Sequence, residues 1–456
     1  MNRIVFNISF KSKQGLSVYR DLEKLNRHTY PAFTPPTGAI AATKKQFVQE
    51  GFSVEAESGV GLTLSAQKDL FDTFFKVNAE KRRIKFIKEF DYWVHETDSE
   101  PESPICREYI EKVFLPKQLF VLDTGGKETG MPELDYYHLS VPTGIREVAK
   151  VESFYRDNKR GGGIDVLMID TGLYPHRYYK DSGYAFQVIP AVQGFDCTRD
   201  ERGHGTGMAS VLLAVAPEVN FTMVKAADDV SGYPIPALQK AVGCEPDIIN
   251  CSWGIIGFEP HLYLEISHAI DEDIIVVFSA GNGSKDRRSS SLQTVAHPDV
   301  ISVGGCYPCP DGSLESSDIS SSYYSEIFAN RFAPDLCGIC GHLPYAQLIL
   351  FPSEPGSIFD KYNGLRDGTK QDDGWFVSSG TSAAAAYVSG LLALMLQKYP
   401  LRDKKNIKKI LEKCCVDVLK GENFMGRKAD RKGWNQAVGS GFLRGDTIFK
   451  YMEKST

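Results

Sequence analysis

Positive charge is not in excess in this sequence: 52 Lys and Arg stand against 58 Asp and Glu, leaving a net charge of −6. A protein that neutralises phosphate needs a basic face, so nucleic acid is not an expected partner. Long apolar runs are missing too. The longest, Ala383 through Met395, is interrupted by Ser389 and Gly390 and falls short of the roughly 20 residues a bilayer requires. No membrane partner is expected. The opening MNRIVFNISFKSK lacks an apolar core followed by small residues, so it does not read as a secretory signal. Without one, the ten cysteines read as reduced thiols or metal ligands and not as a disulfide framework. The expected compartment is the cytoplasm. No internal repeat of solenoid type is visible.

What is present is an ordinary globular composition, 42% apolar and 24% charged over 456 residues, enough for one large α/β domain with an appendage. Residues 1–94 read as a small α+β unit. Ile4 to Phe10 alternates like a strand, Thr43 to Glu50 reads as a helix, and Phe52 to Glu57 and Gly59 to Leu64 read as two more strands. Ser65 then caps a helix carrying Leu70, Phe71, Phe74 and Phe75. The basic run Lys81-Arg82-Arg83 with Lys85 and Lys88 reads as the solvated side of a strand or helix. Residues 95–141 open on the acidic, proline-containing HETDSEPESPI and read as a connecting segment. From residue 142 to 456, strands and helices alternate, which predicts a doubly wound, mostly parallel sheet with chemistry at the carboxyl ends of its strands.

Three short motifs fall where such a sheet would use them. Asp170-Thr171-Gly172 ends the buried strand Ile164 to Ile169. Gly203-His204-Gly205-Thr206-Gly207 opens a helix. Gly380-Thr381-Ser382-Ala383-Ala384 leads into a helix that is apolar nearly all round, hence central to the core. A serine hydroxyl becomes a nucleophile only when an imidazole takes its proton, and a buried carboxylate must hold that imidazole in one tautomer. Each motif supplies one of these groups. His138, His176, His261 and His297 have no such surroundings and read as polar surface, and Asp228-Asp229 and Asp372-Asp373 read as solvated loop charges.

The order Asp170, His204, Ser382 with these neighbours resembles the subtilisin family of serine endopeptidases. The likeness runs from about Pro142 to Met452. It implies a triad that cleaves peptide bonds through an acyl-enzyme, with no cofactor for catalysis and a protein or peptide as substrate. It also implies that Asn282, at the end of the strand leading through Ala280 and Gly281, is the amide donor to the oxyanion. Ser252-Trp253-Gly254, with Ala280 and Gly281, correspond to the substrate-binding strands, and Trp253 replaces a smaller residue, which would partly fill one subsite. Ala383 and Ala386 depart from the Met and Pro usual there, and Asn282 and Ser382 stand further apart than usual, which implies an insertion. The amino-terminal unit resembles the family's propeptide, implying an intramolecular inhibitory domain of ferredoxin-like α+β type that lays its tail through the site. The family's calcium sites cannot be aligned, and none is carried over.

Other readings compete at particular residues. Cys306-Tyr307-Pro308-Cys309 and Cys337-Gly338-Ile339-Cys340 form paired CxxC motifs suited to a structural Zn²⁺ with four sulfur ligands; ordinary thiols or two redox pairs are the alternatives. A second Asp-Thr-Gly at Asp123 raises an aspartic protease, but that chemistry needs one aspartate from each of two large lobes. A catalytically silent subtilisin-like binding module is the remaining alternative, disfavoured because the triad and Asn282 are all kept. A cytoplasmic protease must be restrained, which points to the amino-terminal domain or to a regulatory protein partner.

Overall fold

The computed structural model describes residues 3–85, 89–95, 101–116, 119–120, 138–229, 231–255, 259–283, 296–309, 311–342, 348–365, 367–401 and 404–455. Asp123 and the second Asp-Thr-Gly lie outside them. Among the described residues the largest sheet has ten strands. In spatial order its path runs Gln187–Pro190, Asn220–Lys225, Asp165–Asp170, Ile248–Cys251, Ile275–Ser279, Ile301–Pro308, Leu336–Ile339, Phe442–Leu443 and Cys415–Val416. All neighbours on this path are parallel except the last pair. The chain starts at Asp165–Asp170 and later strands are added to both sides of it, so this strand marks the topological switch point where such sheets place their sites. A doubly wound architecture is therefore what the repeated strand–helix pattern encodes.

The alternation within the switch strand shows how both faces are filled. Val166 and Met168 enter the core built around helices His204–Val215 and Thr381–Lys398. Leu167 and Ile169 enter a second core with Leu238, Ile266 and Trp253, under helices Pro234–Val242 and Pro260–Asp271. A strand covered on both faces must be apolar at consecutive positions. The helix Thr381–Lys398 is buried from Thr381 to Leu396, which accounts for its unbroken run of small and apolar residues.

The amino-terminal unit follows the order strand–helix–strand–strand–helix–strand. Its strands lie as Ser53–Glu57, Gly61–Gln67, Arg3–Phe10 and Ile110–Phe114, all antiparallel, the split βαβ arrangement. Helices Ala39–Gln49 and Lys68–Phe75 enclose Phe6, Phe47, Phe52, Phe71 and Phe75. Ser65 is not a helix cap: it lies inside strand Gly61–Gln67, and its hydroxyl bonds to the buried Glu55. The segment expected to be a connector contributes the strand Ile110–Phe114, and Leu119–Phe120 pairs antiparallel with Gly254–Ile255. His138–Ser140 pairs with Leu348–Pro352. Lys81 and Arg82 are exposed on a strand, as their charge pattern suggests. No helix of the described residues is long and apolar enough to cross a membrane.

The sheet of the amino-terminal unit packs on helices Pro234–Val242 and Pro260–Asp271 through buried polar contacts. Thr63 Oγ1 donates to Gln239 Oε1 (2.7 Å), Gln239 Nε2 donates to Glu265 Oε1 (2.7 Å), and His261 joins Glu265 (3.1 Å) to Ser9 (3.2 Å). His261 and His297 are therefore buried and not polar surface, each 0% exposed. Alternating polar sequence gave no sign of this, because the burial comes from packing between distant segments.

His297 lies beside Tyr263 and Phe328. Its Nδ1 accepts from the Asp299 N–H (3.2 Å), which leaves Nε2 to donate to Ser267 Oγ (2.8 Å). A second proton would abolish the first bond, and burial depresses the pKa to about 4 from 6.5. Because the unfolded chain takes up that proton first, this contribution to stability is complete above about pH 6.5. It is lost as pH falls towards about 4, by roughly 3 kcal/mol. Urea unfolding of the full chain across this window should show that loss. His297→Gln should be less stable at neutral pH but should have a flatter acid limb.

Candidate active site

Asp170 is the last residue of the switch strand and His204 the first of the helix His204–Val215. The two loops that carry them touch closely. A Cβ on Gly205 would lie 2.1 Å from the Gly172 carbonyl oxygen, so only glycine lets the histidine helix approach the aspartate turn. Asp170 is 0% exposed; its Oδ1 accepts from His204 Nδ1 at 2.8 Å and from the Thr171 N–H at 2.7 Å. The Nδ1 proton held there leaves Nε2 on the far side of the ring as the basic nitrogen.

Ser382 is the second residue of its helix, 3% exposed. Its Oγ donates to the Ser252 carbonyl (3.0 Å), and Ser252 Oγ bonds back to the Ser382 carbonyl (2.9 Å). In this structure the serine hydroxyl is therefore turned to the segment Ser252–Gly254 and not hydrogen-bonded to His204. The gap is local, because His204, Asn282, Gly380, Ser382 and Ala383 line one cleft, walled by Met208, Phe351, Phe359 and Phe376. Rotation about the serine Cα–Cβ bond moves the hydroxyl within that cleft.

Asn282 is fixed by the serine segment itself. Its Oδ1 accepts from the Thr381 N–H (2.8 Å) and from Thr381 Oγ1 (3.0 Å). That assigns the amide oxygen, so Nδ2 is the donor edge of this side chain. Gly281 donates its N–H to Thr381 Oγ1 (3.1 Å), and Ala280 donates to Val303 O (2.8 Å). Gly254 pairs by backbone with Phe120. Trp253 is 0% exposed and packs edge-on to Phe278; its indole belongs to the second core. The chain between Asn282 and Ser382 supplies the helix Ile358–Asn363, whose Phe359 ring lies 5.8 Å from the His204 ring.

The zinc expectation is corrected by the structure. Among the described residues no group of three or more His, Cys, Asp or Glu could hold a metal ion. Cys306 and Cys337 lie inside the parallel strands Ile301–Pro308 and Leu336–Ile339, with Cys309 and Cys340 just beyond their ends. A CxxC chelates when it bends through a tight turn; in an extended strand, residues three apart face opposite sides. Accordingly Cys337 Sγ contacts the Val438 carbonyl (3.5 Å) while Cys340 Sγ contacts Ser379 Oγ (3.4 Å). Burial holds the Cys337 and Cys340 thiols above the usual thiol range.

Sequence reasoning missed Asp200. Its carboxylate is 0% exposed, and four groups bond to it: Thr171 Oγ1 (2.7 Å), Gly203 N–H (3.0 Å), Thr206 N–H (2.8 Å) and Thr206 Oγ1 (2.6 Å). Burial raises its pKa above the ordinary carboxylate range, and the threonine bonds oppose that rise. Asp200 thus ties the turn after Asp170 to the start of the His204 helix. Within Arg199-Asp200-Glu201-Arg202 it looks like one more solvated charge, so no local signal marks it.

Such a serine-hydrolase type of site, on the switch point of a doubly wound parallel sheet, defines the class of protein. The chain belongs to the Subtilase family, whose model matches residues 161–441. Serine protease AprX of Bacillus subtilis is 27% identical over 286 residues, 55% of this chain and 61% of AprX. Fervidolysin of Fervidobacterium pennivorans is 27% identical over 327 residues, 64% of this chain and 41% of fervidolysin. The chain thus spans less than two thirds of the length of these relatives. The crystal structure of fervidolysin, a keratinolytic enzyme related to subtilisin, matches 98% of this chain and 61% of that chain, with a TM-score of 0.59 at 16% identity. That likeness is one of fold.

Replacing Asp200 by alanine removes a buried acceptor from four donors, and loss of roughly 3 kcal/mol or more is expected. Asp200→Asn keeps the shape and some of the bonds and should cost less. Chemical denaturation of both variants measures the difference; equal stability of Asp200→Ala and the parent would remove the tie from the account of the site.

Proposed function

We propose that the chain is a serine endopeptidase in which Ser382 attacks a peptide carbonyl. His204 Nε2 accepts the serine proton and passes it to the leaving amine. Asp170 keeps the imidazole in that tautomer and stabilises its charge, and Asn282 Nδ2 with the Ser382 N–H stabilises the oxyanion. Water, activated by the same imidazole, then hydrolyses the acyl-enzyme. The observation that carries this reading is the 2.8 Å bond between buried Asp170 and His204 beside a cleft that Ser382 and Asn282 share. Substrates would be extended polypeptides, whose backbone adds to the edge at Ser252–Gly254. An incoming N–H donated to the Ser252 carbonyl would take the place of the Ser382 hydroxyl and turn it towards His204.

The amino-terminal unit is read as a restraint. What supports this is that Leu119–Phe120, just beyond its last strand, pairs antiparallel with Gly254–Ile255, the same edge a substrate would use. Ten unpaired cysteines favour a reducing compartment, consistent with a cytoplasmic protein. Restraint by a separate regulatory protein partner is the counterpart of the same reading.

A fluorophosphonate should label Ser382 in the parent chain and not in Ser382→Ala. Mass analysis of the two should show cleavage downstream of Phe120 in the parent alone; an unlabelled and uncut parent under every activating condition would leave a silent binding module. Asn282→Ala should retain labelling at a reduced rate, with kcat down by about 10²–10³, the size this loss has in subtilisin. A kcat within a factor of three of the parent would take Asn282 out of the oxyanion site.

A further inference from the structure

Beside the cleft lies a surface whose charge is opposite to that of the molecule as a whole. The loop Gly421 to Gln436 exposes Arg427, Lys428, Arg431, Lys432 and Trp434, in a chain of net charge −6. None of these four cations has an ion-pair partner among the described residues, although Glu422, Asp430 and Asp417 are nearby in sequence. The aromatic part is built and not incidental. Tyr324 (54% exposed) packs edge-on to Phe332, and Phe332 packs edge-on to Trp434 (44% exposed). Gln436 Nε2 donates to the Tyr324 hydroxyl (2.8 Å) while its Oε1 accepts from Arg427, and Arg431 Nε donates to the Trp434 carbonyl (3.3 Å). Two guanidinium groups are thereby tied to an aromatic wall.

The loop is anchored on the residues around Asn282. A Cβ on Gly283 would lie 1.9 Å from the Phe424 ring, so Phe424 sits directly on the backbone that follows Asn282. The Phe424 N–H donates to Ser320 O (3.0 Å), and Asn423 Nδ2 donates to Ser322 Oγ (2.7 Å). Ser320 is itself bridged to Asn282. Tyr324 is four residues further on, at most about 14 Å of extended chain from Ser320. A polypeptide leaving the cleft covers that distance in about four residues.

From this placement, and resting on the protease reading above, we propose that the surface is an exosite for an acidic segment of the polypeptide substrate, about four or more residues from the scissile bond. Carboxylates pair with Arg427, Lys428, Arg431 and Lys432, and the apolar parts of the same segment lie on Tyr324 and Trp434. A nucleic acid would call for a more extended basic face. An anionic bilayer would call for protruding aromatic anchors, whereas these rings form a half-covered wall against Phe332.

The test uses the full chain and a peptide chosen from those it cleaves in a denatured protein digest. Versions extended by four glutamates or four glutamines, on either side of the cleaved bond, are compared in the parent and in the triple variant Arg427→Glu, Arg431→Glu, Lys432→Glu. The parent should cleave one glutamate-tailed version about tenfold better in kcat/KM than its glutamine twin, and the preference should fade with added salt. The triple variant should lose or invert the preference while cleaving the glutamine versions as the parent does, which also checks its fold. Trp434→Ala should weaken the preference without reversing it. An equal rate on glutamate and glutamine tails in the parent overturns the exosite. Fluorescence anisotropy of the glutamate-tailed peptide on Ser382→Ala, with and without the triple change, reads docking without turnover, so a failed exosite and a failed protease reading are distinguishable. Binding of phosphatidylserine vesicles or of oligo(dT), lost on charge reversal while the acidic peptide shows no such loss, would also overturn it.

Discussion

The Asp200 carboxylate accepts four hydrogen bonds from the two loops that deliver Asp170 and His204, and the geometry of the site depends on that bonding. Asp170 ends a strand and His204 begins a helix, so each has little freedom of its own, but strand and helix are joined by more than thirty residues of intervening chain. Thr171 and Thr206, the residues after and just beyond the reacting groups, are drawn onto one buried acceptor. Gly205 lets the backbones close to contact. A 2.8 Å carboxylate–imidazole bond is strong in such a place because both partners are buried, Asp170 fully, among groups held by other bonds.

The third and fourth groups are held by a separate device, at the start of the neighbouring helix Thr381–Lys398 and after the strand Ile275–Ser279. Thr381 bonds Asn282 Oδ1 with both its N–H and its hydroxyl, while Ser382 and Ser252 exchange bonds between hydroxyl and carbonyl. Ser382, Asn282 and Ser252 are therefore tied together by hydrogen bonds, and the helix from Thr381 is anchored by burial along nearly its whole length. The site is two rigid halves facing one cleft, and the only internal freedom its chemistry asks for is rotation of one serine hydroxyl.

The groups readable in the sequence are those whose chemistry constrains their neighbours. Asp170, His204 and Ser382 stand among glycines and small residues because backbones meet there, and that texture survives without a structure. Asp200 has no such texture, since its role depends on threonines 29 residues before it and six after it. The paired CxxC motifs misled for a related reason: spacing alone does not say whether the chain turns or runs straight, and here it runs straight through two buried strands. Ser65 reads as a helix cap because an amphipathic helical pattern follows it, yet the strand Gly61–Gln67 runs on through it. His261 and His297 are buried by contacts with segments far away in sequence, which no local pattern encodes. The doubly wound sheet was legible because its strands are apolar at consecutive positions, and the amino-terminal sheet was legible except for Ile110–Phe114, hidden within a stretch that opens on acidic residues and prolines.

The contact between the amino-terminal sheet and its two helices has a composition that bears on the proposed restraint. At its centre are Thr63, Gln239, Glu265, His261 and Ser9, hydrogen-bonded to one another. Burial pushes the Glu265 carboxyl up, but the His261 bond and charge together with Gln239 outweigh it and leave the pKa below the usual range. Groups of this kind exchange protein partners for water on separation at a net cost of only about 0.5–1.5 kcal/mol per neutral bond, but beside them Val18, Leu22, Leu25, Tyr30, Phe33 and Val60 pack with Tyr263, Leu264 and Phe328, and separation would expose that apolar area to water. The Phe6, Phe47, Phe52, Phe71 and Phe75 cluster stays within the amino-terminal unit, giving it a core that separation leaves intact. The unit keeps its own core, and the apolar cluster at the contact sets a cost on its leaving. Once the backbone pairing of Leu119–Phe120 with Gly254–Ile255 is broken, the edge it occupied is open to another strand.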